Sequence, residues 1–155
     1  MSNTAMKGFF DISSPDIFFQ LIQRSIKEFD ENKYKSAEKL MFIIMGLNHL
    51  REWIAPNYSH KRKAQTAEQH FFNSIYNLPE YKTINSLCNS SKHLSPFSGK
   101  PSIIGDVSID EWSDVDSVVN FDVGPSLSYF VDGQDIQIII EKVVRFYDEN
   151  WFHSP

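Results

Sequence analysis

The sequence predicts a mainly helical α+β protein: a bundle of about five helices, with a small antiparallel β insertion before the last helix. Three observations favour this fold class. Residues 15–95 carry apolar side chains at three- and four-residue spacing, which is typical of amphipathic helices. Residues 102–132 carry short β-branched runs between Gly, Pro and Asp, which is typical of strands. Residues 134–153 then return to helical spacing.

Length and composition predict one domain over residues 1–155, because 155 residues suffice for a single hydrophobic core. Apolar residues make up 41% of the chain and 13 of them are Phe, so we expect a packed interior rather than disorder. The single cysteine, Cys88, excludes a disulfide within one chain and a cysteine-rich zinc site. Neither a secretory signal nor a membrane-spanning run is evident, so a cytoplasmic protein is expected.

Two helices are predicted in the first third of the chain. The first covers about residues 15–31, since Ser14 suits the cap and Pro15 the first helical position. Its apolar positions share one face: Phe18, Leu21, Ile22, Ile26 and Phe29. The second covers about residues 34–54 and is apolar over more than half of its circumference, which is typical of the central helix of a bundle. Pro56 ends it, because proline has no amide hydrogen to donate.

Two more helices and the strands follow. The third helix is predicted to begin near Ala64, with these residues buried: Phe71, Phe72, Ile75 and Tyr76. The fourth begins at Pro79 and stops at Ser95–Pro96, with these facing inward: Tyr81, Ile84, Leu87, Cys88 and Leu94. Two or three strands are expected in these segments: 102–110, 115–123 and 126–135. Asp132-Gly133 indicates a tight turn, and the last helix follows from Gln134.

The fourth helix ends in the motif CNSSKH, residues 88–93. Asn89 and His93 are four residues apart and share a helical face, with Lys92 on its flank. An imidazole acts as acid or base near neutral pH, a lysine offsets phosphate charge, and an asparagine orients a hydroxyl. The alternative is that His93 only complements the helix dipole in the last turn.

This motif resembles the Arg-Asn-x-x-x-His signature of HEPN domains, and the resemblance extends to the helical order over about residues 15–94 and the last helix. It implies an all-helical core, frequent dimerisation that brings two motifs together and, in active members, metal-independent cleavage of RNA. Asn89 and His93 match the signature, whereas Cys88 stands where the family has the Arg that would contact the scissile phosphate. Lys92 offers a point charge rather than a bidentate fork.

The chain also resembles uncharacterised bacterial proteins with an Asn-x-x-Lys-His helix and a second helix that ends in Trp, here NHLREWI. His49 and Trp53 share a face at the end of this second helix. One interpretation is a binding cleft that contains His49, Glu52 and Trp53 and meets His93 of the fourth helix. The alternative assigns Trp53 to the core and His49 to its boundary, with Arg51 and Glu52 in solvent.

Two charged stretches are further candidates for ligand contact. The run HKRK, residues 60–63, suits contact with a phosphate backbone, although such runs are more often solvated loops. The acidic stretch at residues 106–122 lacks the Gly and the closing Glu of an EF-hand loop, so it is interpreted as an exposed sheet edge or a docking surface for a basic partner.

Three functions follow from these observations. The leading hypothesis is a cytoplasmic HEPN-like domain that acts as a noncatalytic binding or interaction module, because Cys88 replaces the family's Arg and the net charge is −5. The first alternative is a metal-independent endoribonuclease of toxin or defence type that uses His93 and Lys92 with Asn89. The second is a bundle that binds a small molecule in a pocket between the aromatic-rich helices and the β insertion. Homodimers, a protein partner and RNA are the partners considered; no metal, cofactor, membrane or sequence-specific DNA contact is expected.

Overall fold

The computed structural model describes residues 7–94, 97–105 and 127–153. Its helices are α1 (Pro15–Glu31), α2 (Ala37–Ile54), α3 (Ala67–Ile75), α4 (Pro79–His93) and α5 (Ile136–Tyr147), and a π-helical turn at Asp148–Phe152 extends α5. Its strands are β1 (Pro101–Gly105), β2 (Leu127–Val131) and β3 (Gln134–Asp135). The predicted fold class is therefore confirmed: a mainly helical chain with a small antiparallel sheet before its last helix.

Side-chain caps determine where the helices begin. Ser14 Oγ accepts from the amide of Ile17 over 3.2 Å, so α1 begins at Pro15 as predicted. Thr66 Oγ1 accepts from the amide of Gln69 over 3.2 Å, so α3 begins three residues later than predicted. In the same way Ser36 caps α2, which begins at Ala37 rather than near residue 34.

The core is built around α2, which contacts α1, α3, α4 and α5. Leu47 of α2 is fully buried, and its carbonyl accepts a 2.6 Å hydrogen bond from the hydroxyl of Tyr147 on α5. The other residues buried to zero exposure come from all four surrounding helices and from α2: Ile22, Ile43, Leu50, Ile75, Tyr81, Ile84, Val143 and Tyr147. The aromatic and aliphatic stripes predicted from the sequence thus meet at one helix.

The sheet has the order β1-β2-β3, with both pairs antiparallel. Asp132 and Gly133 turn the chain between β2 and β3 with φ of +52° and +80°, as the predicted Asp-Gly turn requires. α5 packs on β2 and β3, and the hydroxyl of Tyr129 ties β2 to the carbonyl of Lys35 over 3.0 Å. The acidic stretch at residues 106–122 and the predicted strand at residues 115–123 lie outside the described residues.

Two further predictions are wrong. Leu94 was expected to face the core, but its side chain is 97% exposed, because α4 ends at His93 and Leu94 turns away in a left-handed conformation with φ of +50°. The last helix begins at Ile136 rather than at Gln134. Gln134 and Asp135 pair with β2, and the Asp135 carboxylate caps α5 by accepting from the amide of Gln137 over 2.8 Å.

Candidate functional site

A ladder of three asparagines joins α2 to α4. Asn48 of α2 is 7% exposed, and its Oδ1 accepts from Asn85 Nδ2 over 2.8 Å and from the Tyr81 hydroxyl over 3.2 Å. The Tyr81 hydroxyl also lies 3.0 Å from the Asn48 carbonyl. Asn89 Nδ2 then donates to Asn85 Oδ1 over 3.4 Å. The ladder therefore leads from the buried interface to the exposed Asn89 of the predicted motif.

Cys88, the first residue of the CNSSKH motif, faces the core. Its side chain is 3% exposed, and burial raises the pKa of its thiol above the ordinary value. A hydrogen bond with Asn48 and the charge of Lys92 lower this pKa, while the charge of Glu52 raises it. Position 88 thus holds a neutral, buried thiol, and a guanidinium on this side of α4 would have to give up its hydration.

Lys92 and His93 lie in the last turn of α4, and both are exposed. In the described part of the chain, neither side chain forms a hydrogen bond or an ion pair with another residue. Both are placed where a cation complements the C-terminal end of the helix dipole. They remain available to a ligand, but among the described residues no carboxylate or carbonyl orients the imidazole of His93 for proton transfer.

His49, Glu52 and Trp53 separate into two groups at the end of α2. His49 Nδ1 lies 3.3 Å from Glu52 Oε2, and both side chains are exposed. Trp53 is half-buried and packs against Phe18 of α1, with ring centroids 4.6 Å apart. No hydrogen bond or ion pair joins His93 to His49 or Glu52 among the residues that the structure describes.

Arg51 is the residue that sequence reasoning missed. Its guanidinium carbon lies 4.0 Å from the ring centroid of Phe72, 5.0 Å from that of Tyr81 and 5.3 Å from that of Tyr76. Its Nη1 donates to the Phe72 carbonyl over 3.2 Å, and the side chain is only partly exposed. The spacing offered a signal, because Arg51 follows Asn48 by three residues and so shares the face of α2 that meets α4.

Arg51 lines a surface cavity of about 470 Å³ between α2, α3 and α4. The other lining residues are His60, Asn73, Tyr76 and Asn85. Two of the lining side chains hold buried polar atoms without a hydrogen-bond partner: Arg51 Nε, a donor, and Asn73 Oδ1, an acceptor. This volume and this mixture of aromatic, cationic and amide groups are typical of a site for a small ligand. We call it the Arg51 cavity.

The basic run at residues 60–63 borders this cavity. His60 lines the Arg51 cavity itself, while Arg62 and Lys63 line an adjoining groove of about 350 Å³. Tyr58 connects the two, because it lines the groove and its hydroxyl accepts a 2.9 Å hydrogen bond from Asn73 Nδ2. Arg51, Arg62 and Lys63 thus line two neighbouring surface depressions of the chain.

A second groove bears on the small-molecule alternative, which expects a pocket between the helices and the sheet. A groove of about 450 Å³ lies between α1, β3 and α5. Aliphatic side chains and three carboxylates line it: Ile26, Asp30, Asp135, Gln137, Ile138, Glu141 and Val144. Its lining contains no aromatic side chain, so it differs from the aromatic pocket that the hypothesis describes.

Three general findings complete the description of the site. In residues 7–94, 97–105 and 127–153, no group of three or more His, Cys, Asp or Glu side chains is arranged to hold a metal ion. Within the same ranges, every helix is too short or too polar to span a bilayer. Comparison of the chain with protein-family models, with curated proteins and with solved structures found no match.

Proposed function

We propose that this chain is a cytoplasmic HEPN-like domain that acts as a noncatalytic binding module. Its contact surface is the α2–α4 face, which we define by His49, Glu52, Asn89, Lys92 and His93. The observation that carries the proposal is the burial of Cys88 at the position of the family's Arg. Without that Arg, the motif retains exposed polar groups but has no fork-shaped cation for a scissile phosphate.

The geometry around the motif supports binding over cleavage. Metal-independent cleavage of RNA requires a base for the 2′-hydroxyl, an acid for the leaving oxygen and a cation that stabilises charge on the phosphate. The amide of Asn89 is already engaged with Asn85, and His93 has no orienting partner in the described residues. Exposed and unconstrained groups contact a partner readily, whereas catalysis requires them to be held in place.

The mode of binding includes a second copy of the chain. A homodimer through the α2–α4 face would place two copies of residues 89–93 side by side. Lys92 and His93 of one copy would then lie beside the same residues of the other, because a two-fold axis brings identical patches together. Light scattering coupled to size-exclusion chromatography measures this directly, and a monomer would contradict this mode of binding.

An RNA cleavage assay tests the noncatalytic assignment. The full chain is incubated with single-stranded RNA in the presence of EDTA, beside His93→Ala and the matched control His70→Ala, which removes an exposed histidine from α3. We expect all three proteins to leave the RNA intact. Metal-independent cleavage by the wild type that is lost in His93→Ala and kept in His70→Ala would overturn the proposal and establish the endoribonuclease alternative with His93 and Lys92.

A further inference from the structure

We propose that the groove of about 450 Å³ beside α1 and α5 docks an amphipathic helix of a partner protein, with lysine or arginine flanking the apolar face of that helix. We call it the α1–α5 groove. Its lining contains an aliphatic group and an acidic group: Ile26, Ile138 and Val144, and Asp30, Asp135 and Glu141. The inference goes beyond the proposed function, because this groove shares no residue with the α2–α4 face.

Contacts near both ends hold α1 beside α5. At one end, Gln137 Nε2 donates to Asp30 Oδ1 over 2.7 Å. At the other end, Phe19 of α1 stacks on Phe152, just after α5, with ring centroids 4.3 Å apart. The two helices therefore run antiparallel, and the groove lies between walls whose positions are fixed. A groove between two helices is a surface on which the apolar face of a third helix can pack.

The aliphatic group is accessible to water. Ile138 is 47% exposed, and Ile26 and Val144 are half-buried. A partner that covers these side chains removes apolar surface from water, which favours binding. Ile138 and Val144 are separated by about 9 Å along α5, or nearly two turns. The groove is thus long enough for two apolar side chains from successive turns of a partner helix.

The acidic group requires a cationic partner. The amide and the side chain of Gln137 each occupy one carboxylate oxygen, on Asp135 and on Asp30. Neither carboxylate forms an ion pair within the described part of the chain. The third acidic residue, Glu141, lies 2.9 Å from Arg145, but this pair is exposed to solvent and therefore contributes little. Two carboxylates at the groove thus have no counter-ion among the described residues.

The C-terminal end of α1 adds to the negative charge. Asp30 and Glu31 lie in the last turn, which contains no basic residue, so they add to the negative end of the helix dipole. Lys27, one turn earlier, lies 4.0 Å from Glu31. Lys35 Nζ donates to the carbonyls of Phe29 and Asp30 over 2.8 and 2.7 Å. Lys35 thus binds the backbone of this helix end, and the Asp30 carboxylate is left for a cation of the partner.

The two groups together define the chemistry of the partner. A small polycation would pair with the carboxylates but leave the aliphatic group in water. An uncharged apolar helix would cover the aliphatic group but remove the carboxylates from water without a counter-ion, which is costly. A basic amphipathic helix meets both requirements, because lysine and arginine lay their hydrocarbon stems on apolar surface and place their charges at its edge.

Fluorescence anisotropy on the full chain tests the inference with labelled model helices of about 18 residues, or five turns. The probes are a Leu/Lys helix with its leucines on one face, a Leu/Glu helix of the same pattern, and a Ser/Lys helix that keeps the charge without the apolar face. We expect the Leu/Lys helix to bind at least about tenfold more tightly than the other two. Spermine, which carries charge alone, should not displace it.

Paired variants test whether the carboxylates of the groove are responsible. Asp30→Asn with Asp135→Asn removes two charges but keeps an acceptor for Gln137 and a side-chain cap for α5. The control, Asp16→Asn with Glu68→Gln, removes two exposed charges elsewhere and has the same net charge. We expect the groove variant to bind the Leu/Lys helix about tenfold more weakly than this control.

A second pair tests the aliphatic group. Ile138→Ser should weaken binding of the Leu/Lys helix by about tenfold, while Met41→Ser, which changes a 50% exposed apolar side chain of α2, should leave it unchanged. Both sites are exposed, so circular dichroism should report the same fold in each variant. No binding of the Leu/Lys helix, equal binding of the Ser/Lys helix, displacement by spermine, or equal affinities of groove and control variants would each overturn the inference.

Discussion

The two ends of α4 differ in what their polar residues do. In the first half, Tyr81 is fully buried and Asn85 donates to Asn48, so polar atoms there fasten α4 to α2. In the last turn, Lys92 and His93 are exposed and form no bond within the described residues. Polar side chains on one continuous helix thus stabilise the fold at one end and are free for a ligand at the other.

Arg51, which packs against α4, and Lys92, which lies on α4, show a similar contrast. Arg51 is held over three rings and donates to a backbone carbonyl, whereas Lys92 extends into solvent. A guanidinium that is already fixed in place can bind a ligand of matching geometry at a lower entropic cost. A mobile lysine contributes a positive charge whose position is not fixed. The comparison explains why the sequence motif and the cavity support different kinds of contact.

The largest expected effect is a loss of stability when a buried side chain of α4 is truncated, compared with truncation of an exposed side chain at its end. Ile84 is fully buried, so Ile84→Ala should lower the free energy of unfolding by about 2–5 kcal/mol through lost burial and a cavity. Leu94 is 97% exposed, and Leu94→Ala should change the free energy of unfolding by about 0.5 kcal/mol or less. Urea denaturation of both variants measures the difference, and similar losses would show that the helix is packed equally at both ends.

The next effect concerns the asparagine ladder. Asn48→Ala leaves the Asn85 amide without its acceptor inside the interface, which should cost about 1–3 kcal/mol of unfolding free energy. Asn89→Ala removes only an exposed 3.4 Å bond and should cost about 0.5 kcal/mol or less. Chemical denaturation of the pair checks this order. A larger loss in Asn89→Ala would mean that the outer asparagine, rather than the buried one, supports the interface.

Stability at alkaline pH tests the protonation of the two buried tyrosines, Tyr81 and Tyr147. Burial raises the pKa of Tyr147 well above its ordinary value, and burial also raises that of Tyr81. Above about pH 10 the unfolded chain loses these protons and the folded chain keeps them, so stability falls as pH rises, by about 1.4 kcal/mol per pH unit for each tyrosine. Below that pH their contribution is fully present.

Tyr147→Phe isolates one of these tyrosines. The variant loses the 2.6 Å bond to the Leu47 carbonyl and should be less stable at neutral pH, but its stability should fall less steeply above about pH 10. Unfolding free energies measured between about pH 8 and pH 11 give both slopes. Equal slopes in the wild type and the variant would contradict the assigned protonation of Tyr147.

The smallest expected effect lies in the last turn of α4. Lys92→Gln should change the unfolding free energy by about 0.5 kcal/mol or less, because the side chain is exposed and unpaired within the described residues. Arg51→Gln serves as the reference and should cost about 1–2 kcal/mol, since it removes the stacked cation. Thermal unfolding ranks the two variants. A Lys92 variant that is the less stable of the two would place Lys92 among the structural residues.

Much of the helical pattern was predictable because helix formation depends on residues within one or two turns. α1 was predicted at its observed bounds, since Ser14 and Pro15 define its start and its apolar stripe is regular. The start of α3 was predicted near Ala64, three residues before the observed start, although Thr66 and Gln69 signalled the cap. Leu94 was misplaced because its exposure depends on where the chain turns after α4.

The sequence by itself determined the helices, the tight turn at Asp132-Gly133 and the apolar face of each helix, because these follow from local spacing, capping and backbone preference. Burial did not follow in every case, since Tyr76 and Leu94 were predicted to be buried and are 45% and 97% exposed. The tertiary structure decided which polar residues meet. Asn48 and Asn85 are 37 positions apart, and Arg51 reaches the Phe72 carbonyl 21 positions away. Those contacts depend on which helical faces pack together, and packing is a property of the whole bundle rather than of any one segment.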